Sequence, residues 1–284
     1  MTIAPGQTVT RTKIGIRGVS KVFQVRGADQ PFTALDRIHL DIRGGEFLTL
    51  VGPSGCGKST LLDMIAGLSV PSSGEIVIDG TPVTGPGLDR GIVFQQYALF
   101  PWRTAAGNVE FGLEALGTRR SGKRGAVPKK ERAEVARHYL DLVGLSGFED
   151  RYPHELSGGM RQRVAIARSL AFDPDVLLMD EPFAALDAQT RESLQEQLLH
   201  IWEKTGKTVV FITHGIDEAV YLGQRVAVMT SKPGRIKEII SVEFDSREGD
   251  LRADARFGEY RHHIWTLLRD EVAAAQREEA NSVG

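Results

Sequence analysis

Cysteine is almost absent from this chain, Cys56 being the one thiol among 284 residues. A single cysteine excludes an internal disulfide and fits a reducing compartment. Long apolar runs are missing too; no stretch approaches the roughly 18–20 residues that cross a bilayer. The segment from Met1 to Arg17 lacks the basic-then-apolar order of a secretion signal. Charge of one sign is also lacking, since 35 basic residues stand against 37 acidic ones. So even a balance gives no global attraction to nucleic acid, and no nucleic-acid partner is expected. There is no internal repeat. These absences predict a protein inside the cell. If it serves a membrane, it docks peripherally at the cytoplasmic face, onto helices that other chains supply.

What is present suits a core-forming protein. Hydrophobic residues make up 41% and charged residues 25%, and the length allows one large domain with an appendage. Three short strands are expected over 14–51, the last nearly all apolar, as a strand covered on both faces should be. A helix over 58–66 follows. Strand patterns recur at 74–79, 91–94, 176–179, 208–212 and 225–229, with helices near 104–117, 131–144, 159–171, 188–204 and 215–222. Alternation of this kind argues for a mostly parallel sheet with helices on both faces. The stretch from about 97 to 173 carries no strand pattern and is expected to be a helical subdomain. Inside it, 119–132 holds seven Lys/Arg against one Glu. That run is either a solvated loop and helix start or a contact with an acidic surface. After 241 the composition shifts, and Phe257, Tyr260, Ile264, Leu267, Leu268 and Val272 recur at helical spacing. The stripe predicts a terminal helix docked on the main domain, or one that binds a partner.

Three stretches carry chemistry. Gly52, Pro53, Ser54, Gly55, Cys56, Gly57, Lys58 and Ser59 fit the pattern G-x-x-x-x-G-K-[ST], between a buried strand and a helix, with Thr60 next. Glycines let backbone N–H groups turn around phosphate oxygens, and the helix adds its positive end. The Lys58 ammonium can reach β- and γ-phosphates, and the Ser59 hydroxyl can ligate Mg²⁺. A thiol reagent that reached Cys56 inside this loop would block nucleotide binding. Asp180 and Glu181 end an apolar strand. Such a pair is structural when alone, but beside a phosphate loop Asp180 suits a metal's water shell and Glu181 an attacking water. Leu156, Ser157, Gly158, Gly159 and Met160 open a helix far downstream of the phosphate loop. They form either a plain N-cap at Ser157 or a second anion site.

In order and spacing, the phosphate loop, Gln95, the 156–160 run, Asp180 with Glu181, Leu186 with Asp187, and His214 resemble the ATP-binding cassette (ABC) family over about 14–240. The resemblance implies an α/β P-loop NTPase: an ABC-type cassette with a mostly parallel core sheet, an antiparallel β subdomain and the helical subdomain. Residues 14–240 would form the ATP-binding domain and 241–284 a C-terminal extension with an amphipathic helix. Such cassettes pair head to tail around MgATP. Ser157, Gly158 and Gly159 would then cap the γ-phosphate held by the partner's loop. The resemblance further implies Glu181 as general base, His214 as the bridge between γ-phosphate and water, and Gln95 as a sensor of Mg²⁺ and γ-phosphate. Ser59, Gln95 and Asp180 would face the metal. Phe23 matches the aromatic that stacks on adenine, although a core position is its other reading. Met160 and Ala184 depart from the commonest family residues, at places that bear on partner contacts.

The aromatic run at Tyr97, Phe100 and Trp102 is a core insertion or, as in the family, a groove for a helix of a permease subunit. Absence of fused membrane helices argues for an importer. Residues 89–103, 108–112 and 231–236 resemble the nitrate, sulfonate, taurine and bicarbonate branch. That branch implies transmembrane permease subunits and, indirectly, an extracytoplasmic solute-binding protein. The alternative is a non-transport ABC ATPase of DNA repair or translation. It would need a coiled-coil insertion or a second cassette, and the chain offers neither.

Overall fold

The computed structural model describes residues 11–24, 31–119, 128–245, 247 and 251–282. Two long strands open the chain, β1 (Thr12–Phe23) and β2 (Phe32–Arg43), followed by the short β3 (Phe47–Val51). After α1 (Lys58–Ala66) come β4 (Ser73–Ile78), the two-residue β5 (Thr81–Pro82) and β6 (Arg90–Val93). Three helices follow, α2 (Ala105–Arg119), α3 (Lys129–Leu142) and α4 (Gly158–Leu170). The chain then alternates through β7 (Val176–Asp180), α5 (Ala188–Thr205), β8 (Thr208–Ile212), α6 (Ile216–Leu222) and β9 (Arg225–Met229). It closes with β10 (Ile236–Ser241) and α7 (Ala255–Ser282).

A six-stranded sheet runs in the order β10-β9-β3-β8-β7-β6. All its pairings are parallel except that of the edge strand β10 with β9. Its strands are apolar at successive positions because both faces are covered. In β8, Val209 and Phe211 enter one core while Val210 and Ile212 enter the other. In β7, Leu177 and Met179 oppose Val176 and Leu178 in the same way. One core lies under α1 and a separate antiparallel sheet, β2-β1-β4-β5; the other lies under α4, α5 and α6. A mostly parallel core with an antiparallel sheet and a helical insertion is the P-loop ABC cassette fold.

Two expectations need correction. The first two strands are not short: each has 12 residues, in a hairpin whose register shifts four times. Bulges around Gly18, Ser20 and Lys21 break the two-residue alternation, so the pattern hides the strand length. Strand β10 had no counterpart in the pattern, because its register with β9 shifts between Ile236 and Glu238. Among the described residues of 97–173 there is no strand. The basic run lies partly outside the described residues, at 120–127; Lys129 and Lys130 open α3 in the solvent. In α7, Phe257 and Ile264 are buried, and Tyr260, Leu267 and Leu268 pack beside them, whereas Val272 is exposed. Burial of the first two stabilises docking by about 1.5–3 kcal/mol each.

Candidate functional site

Strand β3 ends in the core, and the chain must turn at once to start α1. Gly57 makes that turn at φ 101° and leaves the helix without a side-chain cap. A Cβ there would sit 2.6 Å from Leu35, and one on Gly52 would sit 2.8 Å from the Cys56 sulfur. These glycines are therefore steric requirements, and the uncapped N–H groups of the first turn remain for an anion. Lys58 is buried, its Nζ donating to the Gly52 and Pro53 carbonyls at 2.8 and 2.9 Å. Cys56 is buried as well, and burial pushes its thiol pKa up, so the neutral thiol faces the core rather than a reagent.

The carboxylate pair lies beside this loop. Asp180 ends β7, and the Ser59 hydroxyl lies close enough to act on its carboxyl. Burial, chiefly, raises its pKa; Glu181 and Asp63 add to the rise, while Ser59 and Lys58 oppose it. Glu181 takes φ 42°, a left-handed backbone that non-glycine residues seldom adopt and that recurs at functional sites. Its N–H donates to the Ile212 carbonyl at 3.0 Å, fixing it against the end of β8. His214, just past that strand, approaches Glu181 Oε2 with Nδ1 at 3.3 Å. The His214 side chain is 64% exposed and Glu181 24%, so both face the surface that a second molecule could cover.

A cavity of about 260 Å³ joins Phe23, Ser54, Gly55, Lys58, Ser59, Thr60 and Glu181. Phe23 lines it and is 41% exposed, which excludes a core role. Phe32, not anticipated from the sequence, lines it too; it is the register partner of Phe23 across the β1–β2 hairpin. Oxygen donors at Ser59 and Asp180, with no cluster of three metal-ligating His, Cys, Asp or Glu among the described residues, suit Mg²⁺. That ion takes few protein ligands and completes its shell with phosphate and water.

Other expected residues stand apart. Gln95, exposed after β6, does not line this cavity. Neither do Ser157, Gly158 and Gly159, which open α4. The Ser157 hydroxyl accepts from the Met160 N–H at 3.2 Å, so it does cap the helix. Gly159 is buried, and a Cβ on it would lie 2.6 Å from Thr190 Cγ2 on α5. Beyond His214 lies a second cavity of about 800 Å³, lined in part by Gln195, Glu218, Arg252 and Trp265. Its volume is larger, but the residues of the glycine loop and Glu181 line the smaller one.

Residues 35–184 match the family model described as ABC transporter. The chain belongs to the ABC transporter family. An uncharacterised ABC transporter ATP-binding protein of Methanocaldococcus jannaschii is 54% identical over 92% of this chain and 93% of its own length. The nitrate import ATP-binding protein NrtD of Synechocystis is 50% identical over 83% of this chain and 88% of its own. The taurine import ATP-binding protein TauB of Roseobacter denitrificans is 44% identical over 91% and 95%. Among solved structures, a dimeric ATP-binding cassette in a post-hydrolysis state with ADP and Pi superposes with a TM-score of 0.69 at 36% identity. The match covers 81% of this chain and 99% of that one. Family membership makes this chain an ABC ATPase whose hydrolysis is coupled to transport.

Proposed function

We propose that this ABC protein is the MgATP-hydrolysing subunit of a membrane importer, acting as a head-to-tail pair of cassettes. The observation that carries the reading is the Glu181–His214 pair, 3.3 Å apart beside the phosphate loop. Lys58 and the loop N–H groups would hold β- and γ-phosphates, with Phe23 against adenine. Ser59 and Asp180, with Gln95 after closure, would hold Mg²⁺, which supplies charge neutralisation at the transferring phosphoryl group. Glu181 takes the proton of the attacking water, and His214 holds that water and the γ-phosphate in register. Ser157, Gly158 and Gly159, which do not line this chain's own cavity, would cap the nucleotide of a second cassette. The division into a cassette at 14–240 and an extension at 241–284 belongs to the same reading.

Coupling runs through the segment after β6. Arg168 donates to the Ala98 and Tyr97 carbonyls at 2.6 and 3.1 Å, and the Arg161 guanidinium lies 5.5 Å from the Tyr97 ring centre. The Gln95 segment and α4 are thereby tied and would shift together on closure. Next to them, Phe100 packs on Phe111 with centroids 4.5 Å apart, while Trp102 stays 70% exposed. An exposed tryptophan on an aromatic base suits a short helix of a permease. The names of the nitrate and taurine relatives favour a small anion or sulfonate as cargo. Import would also involve an extracytoplasmic solute-binding protein, with this chain at the cytoplasmic face of the membrane. Tagged protein drawn from native membranes should bring down a polytopic permease, and Trp102→Ala should lose it while keeping ATP binding. Recovery of ribosomal or DNA-associated partners without a membrane protein would overturn the transporter reading.

A further inference from the structure

We propose that Lys232 is a further nucleotide-contacting residue, a second ammonium brought to the phosphate loop by the connection between β9 and β10. The inference rests on the assignment of 52–60 as the nucleotide cradle. The connection is wedged behind that cradle. Gly234 donates to the Ala34 carbonyl at 2.9 Å and accepts from Asp36 N–H at 3.0 Å. A Cβ on Gly234 would lie 2.0 Å from the Cys56 carbonyl, so this backbone touches the phosphate loop itself. Its other end is clamped from α7, where Glu271 Oε2 accepts from the Ser231 N–H at 2.8 Å and from its hydroxyl at 3.2 Å. The second Glu271 oxygen accepts from Lys237 at 2.7 Å.

Between these anchors Lys232 projects over the cradle's rim. Its Nζ lies 3.6 Å from the place a Cβ on Gly55 would take, and 5.7 Å from the centre of the Phe32 ring. Both Gly55 and Phe32 line the cavity with Phe23 and Lys58. Among the described residues Lys232 has no carboxylate within 4.0 Å and no hydrogen-bond acceptor, unlike Lys58, whose donors go to two carbonyls. Lys58 in the cavity lining and Lys232 at Gly55 on its edge thus bring two ammonium groups and the N–H donors of the loop to one rim, with Asp180, Glu181 and Asp63 as the carboxylates nearby. A phosphate chain fits this set of donors, and the aromatic floor beside it admits a base. A nucleoside polyphosphate supplies both. Lys232 then adds donors to the phosphate chain without giving up any bond inside the protein, and its aromatic support narrows where the ammonium can go.

The test is ATP and adenosine affinity of the full chain, measured by calorimetry for Lys232→Ala, Lys232→Arg and Lys58→Ala. Lys232→Ala should weaken ATP about tenfold. Lys232→Arg should stay within about twofold of the parent, since it keeps the charge. Adenosine, lacking phosphate, should bind all of them alike. Because Lys232 is exposed, the fold is not at stake in these variants. If Lys232→Ala binds ATP like the parent while Lys58→Ala does not, the inference fails and the cradle stands. If neither variant changes ATP affinity, the cradle assignment itself fails. Equal losses for ATP and adenosine would show the lysine acting on the aromatic floor, which also overturns the proposal.

Discussion

Gln195 Nε2 on α5 donates to Glu218 Oε1 on α6 across 2.9 Å, in the buried ground beneath His214. The other carboxyl oxygen of Glu218 meets the Thr213 hydroxyl, and that hydroxyl accepts from the Gly215 N–H at 2.9 Å. From the opposite side Arg252 donates to Gln195 Oε1 at 3.0 Å. A continuous polar chain therefore runs from the segment before α7 to the two residues flanking His214. Buried networks of this sort hold a single geometry when every member is satisfied. The backbone on both sides of the histidine beside Glu181 is thus held by groups that do not line the cavity at the glycine loop.

That arrangement gives a pH signature to stability. Burial is the main cause that raises the Glu218 carboxyl above its ordinary 4.5; Thr213, Gln195, Arg191 and His214 pull the other way without cancelling it. A carboxyl whose folded pKa is raised favours folding most below its unfolded value, and the benefit is lost as pH rises through the raised one. Thermal melts from acid to neutral pH should show the parent losing stability relative to Glu218→Gln as pH rises above 4.5. Parallel curves for the two proteins would contradict the shift. Glu218→Ala, which strands Gln195 and Thr213, should destabilise by about 1–3 kcal/mol at acid pH, and by less as pH rises through the raised value.

Glu181 and His214 make a separate demand on kinetics. Replacing Glu181 by Gln keeps the shape and removes the proton acceptor, so ATP should still bind and hold a closed dimer. Hydrolysis should fall by about 100-fold or more. Gel filtration with ATP and a phosphate-release assay check the two halves of this expectation. Rapid turnover in Glu181→Gln would assign the base elsewhere.

The 2.6 Å approach of a Gly159 Cβ to Thr190 Cγ2 predicts a packing defect rather than a chemical one. Gly159→Ala should destabilise the fold by about 1–3 kcal/mol through overpacking between α4 and α5. Thr190→Ser deletes the offending methyl and keeps the hydroxyl, so the double variant should regain most of that loss in a denaturant titration. Additive effects would mean the two positions do not meet.

Much of this was legible in the chain because the site is built from local devices. The glycines of 52–57, Lys58 at the start of α1, and Asp180 with Glu181 at the end of β7 lie next to the elements that aim them. Fully apolar strands such as β8 announced a sheet covered on both faces. What stayed hidden depends on pairing between distant segments. Phe32 joins the site only because it faces Phe23 across a bulged hairpin, and no periodicity predicts that register. Strand β10, the Gln195–Glu218 contact and the Glu271 clamp are likewise long-range, each made by residues unremarkable on their own.

Separation of the two candidate anion sites within one chain yields the sharpest test of the paired cassette. Ser157 caps α4 and stands outside the cavity that holds Lys58, so each should serve a different member of the dimer. Ser157→Asp keeps an efficient N-cap, which protects the fold, yet sets a negative charge where a γ-phosphate would arrive. Lys58→Ala disables the cradle. In a homodimer of either variant both composite sites are damaged. In a mixed dimer one site carries both defects and the other carries none, because its loop comes from the Ser157→Asp chain and its α4 from the Lys58→Ala chain. Random mixing makes half the dimers mixed, so ATPase activity should rise to about a quarter of the parent's. If the mixture is no more active than its parts, each nucleotide is served by one chain alone and the head-to-tail arrangement is wrong for this protein.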